Sequence, residues 1–422
     1  MFSRGYKRYA LAVMTAVYML NLVDRALMIL LLQPIKEDLK LSDTQLGFVT
    51  GIAFGLFYAT LGVPIARWAD RGNRVTITSM AIGLWGLTVM VCMFVTNYTQ
   101  LVFARVAAAV GEAGCKPPTY SLVGDYFPEP GERTRAMAIY SSGAYLQAPL
   151  SYILGGWLNE VYGWRLTFLL MGIPGLMLAV LVKLTITEPR THASRTDVQA
   201  RPPPPMRAVL ATLWQQRSSR HLSIALILLY TMSLGLTPWY AAFMMRSHGV
   251  GTAELGVWLG LTFSLGGIAG ALSGGYVASR WFAQNEQGQM RMSAVTVTLV
   301  VPCFVAFLTL PQKYYALIAL IPMIITISFF VGPTYALMQR LVPDEIRATM
   351  MAVVLLLANL IGFGIGPQVV GIISDVLTPT LGSDALRYAM LMMSFLGLWS
   401  GYHFWAVGRT VKEDLSVLAH RG

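Results

Sequence analysis

Apolar residues run along this chain in blocks of about 20 or more, longer than a strand and broader than the single stripe of a surface helix. A helix rises 1.5 Å per residue, so each block is long enough to span the ~30 Å hydrocarbon core of a bilayer. Twelve blocks are read. They cover about 8–33, 44–68, 75–96, 98–126, 134–158 and 164–186 in the first half. In the second half they cover about 220–246, 252–279, 291–310, 314–339, 346–374 and 384–408. The first block is too long for a cleavable signal and carries an acid–base pair, so it reads as a spanning helix. The pattern predicts an all-α membrane protein: twelve transmembrane helices in two pseudo-symmetric six-helix bundles, residues 1–187 and 220–422.

Between the bundles lies a polar linker, residues 188–219, holding Pro202 to Pro205 and several arginines. Within it, Met206 to Gln216 either forms an amphipathic surface helix, with Val209, Leu213 and Trp214 towards lipid, or belongs to a disordered tether. The halves repeat. Leu46, Gly47 and Gly51 recur as Leu255, Gly256 and Gly260, and Arg71 recurs as Arg280, all at an offset of 209. Pro128 and Arg135, before Ala136 and Met137, are echoed by Pro343 and Arg347, before Ala348 and Met350. Two six-helix halves in parallel repeat suit alternating access, with a site at mid-membrane where the repeats meet.

Composition agrees with this reading. Of the 422 residues, 55% are hydrophobic and 12% charged, against about 25% charged in a soluble domain. The formal charge is +11. In a soluble protein that suggests nucleic acid; here the basic residues sit in the short gaps, where they set topology and meet anionic lipid. No nucleic-acid partner is expected. Of the 31 Lys and Arg, 22 fall on the side of the termini, six on the other, and three within blocks. That bias places both termini and the linker in the cytoplasm, in the plasma (inner) membrane. Cys92, Cys115 and Cys303 lie in apolar blocks without metal-ligand spacing, so they read as packing residues and no metal site is expected. The sequon at Asn97 to Thr99 reads as a chance match.

The chemistry gathers in the fourth block. Arg105, Glu112 and Lys116, at offsets of seven and four, share one helix face. A charge at the bilayer centre costs ~2.5–3.5 kcal/mol on insertion scales, so three on one stripe call for a polar interior and partners on other helices. Asp24 and Arg25, deep in the first block, are those partners. Being adjacent, they diverge by ~100° around the helix: one side chain reaches the fourth helix while the other faces a cavity. Burial and a neighbouring cation act on a carboxyl's proton affinity in opposite directions, so Asp24 and Glu112 are the candidate proton-coupling residues. Arg105 holds Glu112 or serves as a second anchor. Arg25 is the candidate anchor for an anionic headgroup, because its planar fork suits phosphate or carboxylate. A static salt-bridge network that only fixes helix packing is the alternative.

Asp70, Arg71 and Arg74 follow the glycine-containing turn after Gly62, where Asp70 can accept from helix amides or a facing arginine and clamp the cytoplasmic side. This loop resembles the signature of the major facilitator superfamily, with a weak echo at Gly270, Ser279 and Arg280, where the acid is lost. Within the superfamily, three groups resemble the spinster-like subfamily: Asn21, Asp24 and Arg25; Arg105, Gly111, Glu112 and Pro117; and Asp125, Pro128, Arg133 and Arg135. The resemblance implies a transporter of lysophospholipids or sphingoid phosphates, coupled to protons. It also assigns conformational gating to Asp70, Arg71, Arg74, Arg133, Arg135, Arg280 and Arg347. Two departures stand out: the superfamily's Gly-Pro antiporter element appears as Ala148 and Pro149, and Lys116 has no counterpart in the pattern.

The second half has no charge at mid-depth, and His221, His248 and His403 sit near block ends. It is therefore expected to supply apolar wall and shape through Thr231, Thr237, Trp239, Tyr335, Gln339 and Asn359, with Pro238 bending the seventh helix. Substrate contacts in the first half are expected from Asn21, Tyr58, Lys116, Thr119, Tyr145 and Tyr152, the last two on one face. The 23 methionines suit varied apolar ligands. The expected function is proton-coupled transport of an anionic amphiphile by a monomer, with membrane lipids as its other partners and no cofactor besides the proton. The rivals are a transporter of small organic anions or drugs, and a membrane-embedded enzyme. The second needs a mid-membrane histidine or metal cluster, and the chain has no HExxH or GxSxG motif.

Overall fold

Helices occupy almost all of the described residues between Arg4 and Ala419, and no strand occurs among them. The computed structural model describes residues 2–189, 206–342 and 344–419. Nine helical stretches among them are long and apolar enough to cross a membrane. Two of these, Pro130–Thr185 and Thr349–Val417, run 56 and 69 residues, enough for two crossings each. The first breaks at Gly163 (φ +77°) and the second at Gly382 (φ +54°), in the left-handed region that glycine enters without strain. One more crossing, Tyr98–Ala113 continued by Lys116–Tyr126, carries the charged stripe and is broken at Gly114 and Cys115 into pieces of 16 and 11 residues, each too short to cross alone. These are the twelve crossings that the apolar blocks predict.

Irregular turns recur at matching places in the two halves. The fifth crossing holds a π-helical turn at Pro149–Leu154 and the eleventh one at Leu360–Ile365. The second crossing breaks at Gly51 between Asp43–Thr50 and Ile52–Arg71, and the eighth has a π turn at Thr262–Gly266. Pro149 lacks the N–H that would continue the α pattern, which accounts for the first of these.

By backbone contact the chain divides into two compact units. One is Met1–Gln199 with Gly249–Leu261; the other is Ala200–His248 with Thr262–Gly422. Residues 249–261, at the start of the eighth crossing, join the first unit. The reason is a crossing made of backbone. A methyl on Gly256 would collide with the carbonyl of Tyr152, and one on Gly156 with the carbonyl of Thr252. Small residues allow such an approach where no hydrophobic force drives helices together. Hydrogen bonds fasten it: Asn159 Nδ2 donates to Thr252 Oγ1 at 3.0 Å, and the Ala253 amide donates to Glu160 Oε2 at 2.8 Å.

In the second unit, Met206–Gln215 is helical, the first of the two linker alternatives. Leu213 does not point to lipid as expected. It packs on Val342 and Met350, beside Ile346 and Val353, because those side chains form an apolar cluster at the start of the eleventh crossing. Trp214 is 71% exposed, with the Arg220 guanidinium 5.8 Å from its ring. Pro202 to Pro205 lie outside the described residues.

Candidate functional site

The first helix, Arg4–Leu30, sends Asp24 and Arg25 to different partners on one neighbour. Arg105 Nη1 pairs with Asp24 Oδ2, and Arg25 Nη2 pairs with Glu112 Oε1. The two links are crossed, acid to base and base to acid. Arg105 therefore holds Asp24 rather than Glu112, because the 100° between neighbours on the first helix matches two levels of the fourth, seven residues apart. Asp24, Arg105 and Glu112 are 1–2% exposed, while the Arg25 side chain keeps 18%. The two pairs differ accordingly: one is sealed and the other borders open space.

Gly111 sets the fourth helix in place. A Cβ there would lie 2.7 Å from the Trp85 backbone nitrogen, so only glycine lets this helix lie so close to the third. The second helix completes the wall. Phe54 and Tyr58, one turn apart, stack at 5.7 Å, and the Arg25 guanidinium lies 4.5 Å from the first ring centroid and 4.6 Å from the second. Arg105 lies 5.1 Å from Phe54. These cation–π contacts lower the cost of keeping guanidinium groups among hydrocarbon. Asn21 Nδ2, Asp24 Oδ1 and Glu112 Oε2 are buried and take no hydrogen bond among the described residues.

The fourth crossing then turns. The amides of Gly114 and Cys115 bond back to Gly111 and Glu112 at 3.2 Å, and Lys116 opens a new helix ahead of Pro117 and Pro118. Its Nζ lies 5.6 Å from the Tyr18 ring centroid. Tyr18 stacks on Tyr140 at 4.8 Å, and the Tyr140 hydroxyl meets Thr119 Oγ1 at 2.7 Å.

The expected cytoplasmic cluster has Arg74 at its centre. This arginine is fully buried and reaches three groups. Its amide donates to Glu188 Oε2 at 2.7 Å, Nε donates to Glu188 Oε1 at 3.0 Å, and Nη1 meets Ser121 at 2.8 Å and Asp125 at 2.7 Å. The end of the sixth crossing is thereby strapped to the loop between the second and third. Arg74→Ala strands two carboxylates and is expected to cost about 3 kcal/mol, the low end for breaking a buried pair because Asp125 is partly exposed. The unfolding midpoint in detergent checks this. Arg133 caps the fourth crossing by donating to the carbonyls of Phe127 and Gly124, and Arg347 Nε donates to the Gln339 carbonyl. Arg71, Arg135 and Arg280 are exposed. The side chain of Asp70 lies outside the described residues.

The profile of the Major Facilitator Superfamily matches residues 14–411. The chain belongs to the Major Facilitator Superfamily. It is a multi-pass membrane transporter of that family. A Mycolicibacterium smegmatis protein named as an MFS-type efflux pump is 32% identical over 96% of this chain and 94% of its own. Protein spinster homolog 1 of Xenopus laevis is 25% identical over 97% of this chain and 82% of its own. A crystal structure of a bacterial homolog of the human lysosomal transporter Spinster, inward-facing and unoccupied, superposes with a TM-score of 0.85. Its identity is 26%, over 98% of this chain and 99% of that one.

Within this facilitator the remaining expected contacts scatter. Tyr145 is 40% exposed, but Tyr152 is buried at the backbone crossing. The two do not share a face, because the π turn that begins at Pro149 changes the helical phase between them. In the second unit Trp239 is fully buried, a packing residue rather than wall, and Thr237 Oγ1 donates to the Ser233 carbonyl at 2.7 Å. Tyr335 meets the Tyr230 hydroxyl. His221 and His403, 182 residues apart, lie Nδ1 to Nδ1 at 2.8 Å. Sequence reasoning passed over Phe54, Tyr18, Tyr140 and Glu188. Of these only Phe54 left a signal, four residues before Tyr58 on the same helix face.

Proposed function

We propose that this facilitator moves an anionic amphiphile, a lysophospholipid or a sphingoid phosphate, by alternating access, coupled to protons through Glu112 and Asp24. The observation that carries the reading is the pair of crossed ion links between the first and fourth helices. Ionisable groups at membrane depth are rare and mark ion pathways, and each carboxylate here already has the cation that a proton would release. The amphiphile is supported by an apolar groove of about 550 Å³ along the first and fifth crossings, lined by Met19, Leu146, Pro149, Leu150, Ile153 and Trp157. The spinster likeness supports the same class. The charge bias of the gaps supports cytoplasmic termini in the plasma membrane.

Flux in proteoliposomes with a lysolipid panel and an imposed pH gradient tests the reading. Saturable uptake of lysophosphatidate, stimulated by the gradient, is expected. Saturable flux without any response to the gradient ends the coupling, and no lysolipid flux ends the amphiphile. A second reading, export of small organic anions or drugs, draws on the relative named as an efflux pump. Competition by such compounds, with none by lysolipids, would select it.

A further inference from the structure

The ion pairs between the first and fourth crossings account for every charge on the stripe of the fourth crossing but one. Asp24 is matched by Arg105 and Glu112 by Arg25. Lys116 is left over: among the described residues no carboxylate and no hydrogen-bond acceptor engages its Nζ, and its one recorded contact is the Tyr18 ring. It is nevertheless close enough to Arg25 and Glu112 for their charges to act on it. Three cations thus face two carboxylates. The side chain is exposed, and the wall beside it is aromatic. Tyr18 stacks on Tyr140, and Tyr120 meets Tyr140 edge-on at 5.6 Å and 88°.

We propose that Lys116, rather than Arg25, is the fixed anchor for the anionic group of the cargo, a phosphate or carboxylate. The inference rests on the reading that the cargo is anionic and passes this wall. Arg25 has Glu112 as its standing partner, so an incoming anion has to displace a carboxylate to reach it. Lys116 offers a charge with nothing to displace. An ammonium is a compact point charge with three donors on a flexible stem, suited to phosphate oxygens in more than one orientation. The Tyr18 ring, 5.6 Å from Nζ, holds the ammonium by cation–π contact until an anion arrives. Coupling and recognition then fall to different cations: Arg25 answers to the proton on Glu112, and Lys116 to the cargo.

The test uses the full chain in an uncharged maltoside detergent. Its unfolding midpoint is followed against monodecyl phosphate, decylphosphocholine and inorganic phosphate. Wild type is expected to respond to the decyl phosphate at a concentration at least tenfold lower than to the phosphocholine. Lys116→Met should abolish that preference and Lys116→Arg should keep it. Lys116→Met is expected to fold, since no acid loses a partner; Lys116→Thr is the second neutral variant. A phosphate preference that survives in the neutral variants, or none in wild type, overturns the anchor. An equal response of wild type to inorganic phosphate, lost in Lys116→Met, keeps the anchor and assigns it to a small anion. Liposome flux is read separately. Phosphate binding that depends on Lys116, without lysolipid flux, removes the amphiphile reading and leaves the anchor in place.

Discussion

Glu112→Gln is expected to make transport indifferent to an imposed pH gradient while the protein still folds. Glutamine keeps the shape of the side chain but has no proton to exchange. Glu112 is 1% exposed and meets Arg25, so in the variant that guanidinium retains Phe54 and Tyr58, at 4.5 and 4.6 Å, without its carboxylate. One pH unit is worth about 1.36 kcal/mol per proton. A single coupled proton therefore sustains at most about a tenfold cargo ratio at a gradient of one unit, and the variant should equilibrate at a ratio of about one. The accumulation ratio in proteoliposomes measures this directly. An unchanged response would remove Glu112 from coupling.

Arg105→Ala carries the largest expected cost in stability. Asp24 is 1% exposed and Arg105 2%. Removing the guanidinium leaves a carboxylate in hydrocarbon without its cation, and breaking a buried pair from one side costs about 3–5 kcal/mol. Neutralising both, Asp24→Asn with Arg105→Gln, leaves no uncompensated charge and should recover most of the loss. A cycle of unfolding midpoints, with Asp24→Asn as its other corner, gives the coupling between them. If the single and double variants unfold alike, the pair does not act as a unit.

Much of the fold is legible in the order of residues because a bilayer imposes a length on apolar blocks. The charged stripe is legible too, since few positions on a spanning helix carry ions without a reason. What adjacency hides is the pairing. Asp24 and Arg25 point along two directions, and only the spacing between the first and fourth helices decides that the acid takes Arg105 and the base Glu112. Partners distant in sequence leave no local trace: Glu188 reaches back to Arg74 across 114 residues. The same holds for Leu213, whose apolar face suits lipid as well as it suits Val342 and Met350. Tyr145 and Tyr152 show a different obstacle, because helical arithmetic assumes a constant period and the fifth crossing does not keep one.

That changed period also limits how the chain can vary in length. The wide turn at Pro149–Leu154 holds one residue more than an α turn would. Loss of one residue within that turn can be absorbed by its return to α geometry, but loss of one from the α-helical stretch before it, Pro130–Ala148, would advance everything downstream by one place and by about 100° around the axis. Trp157 would then occupy the position of Gly156, where even a methyl group strikes the Thr252 carbonyl. A deletion that looks harmless in a greasy segment would wedge an indole between two main chains, so this stretch should tolerate exchange of side chains far better than any change in their number.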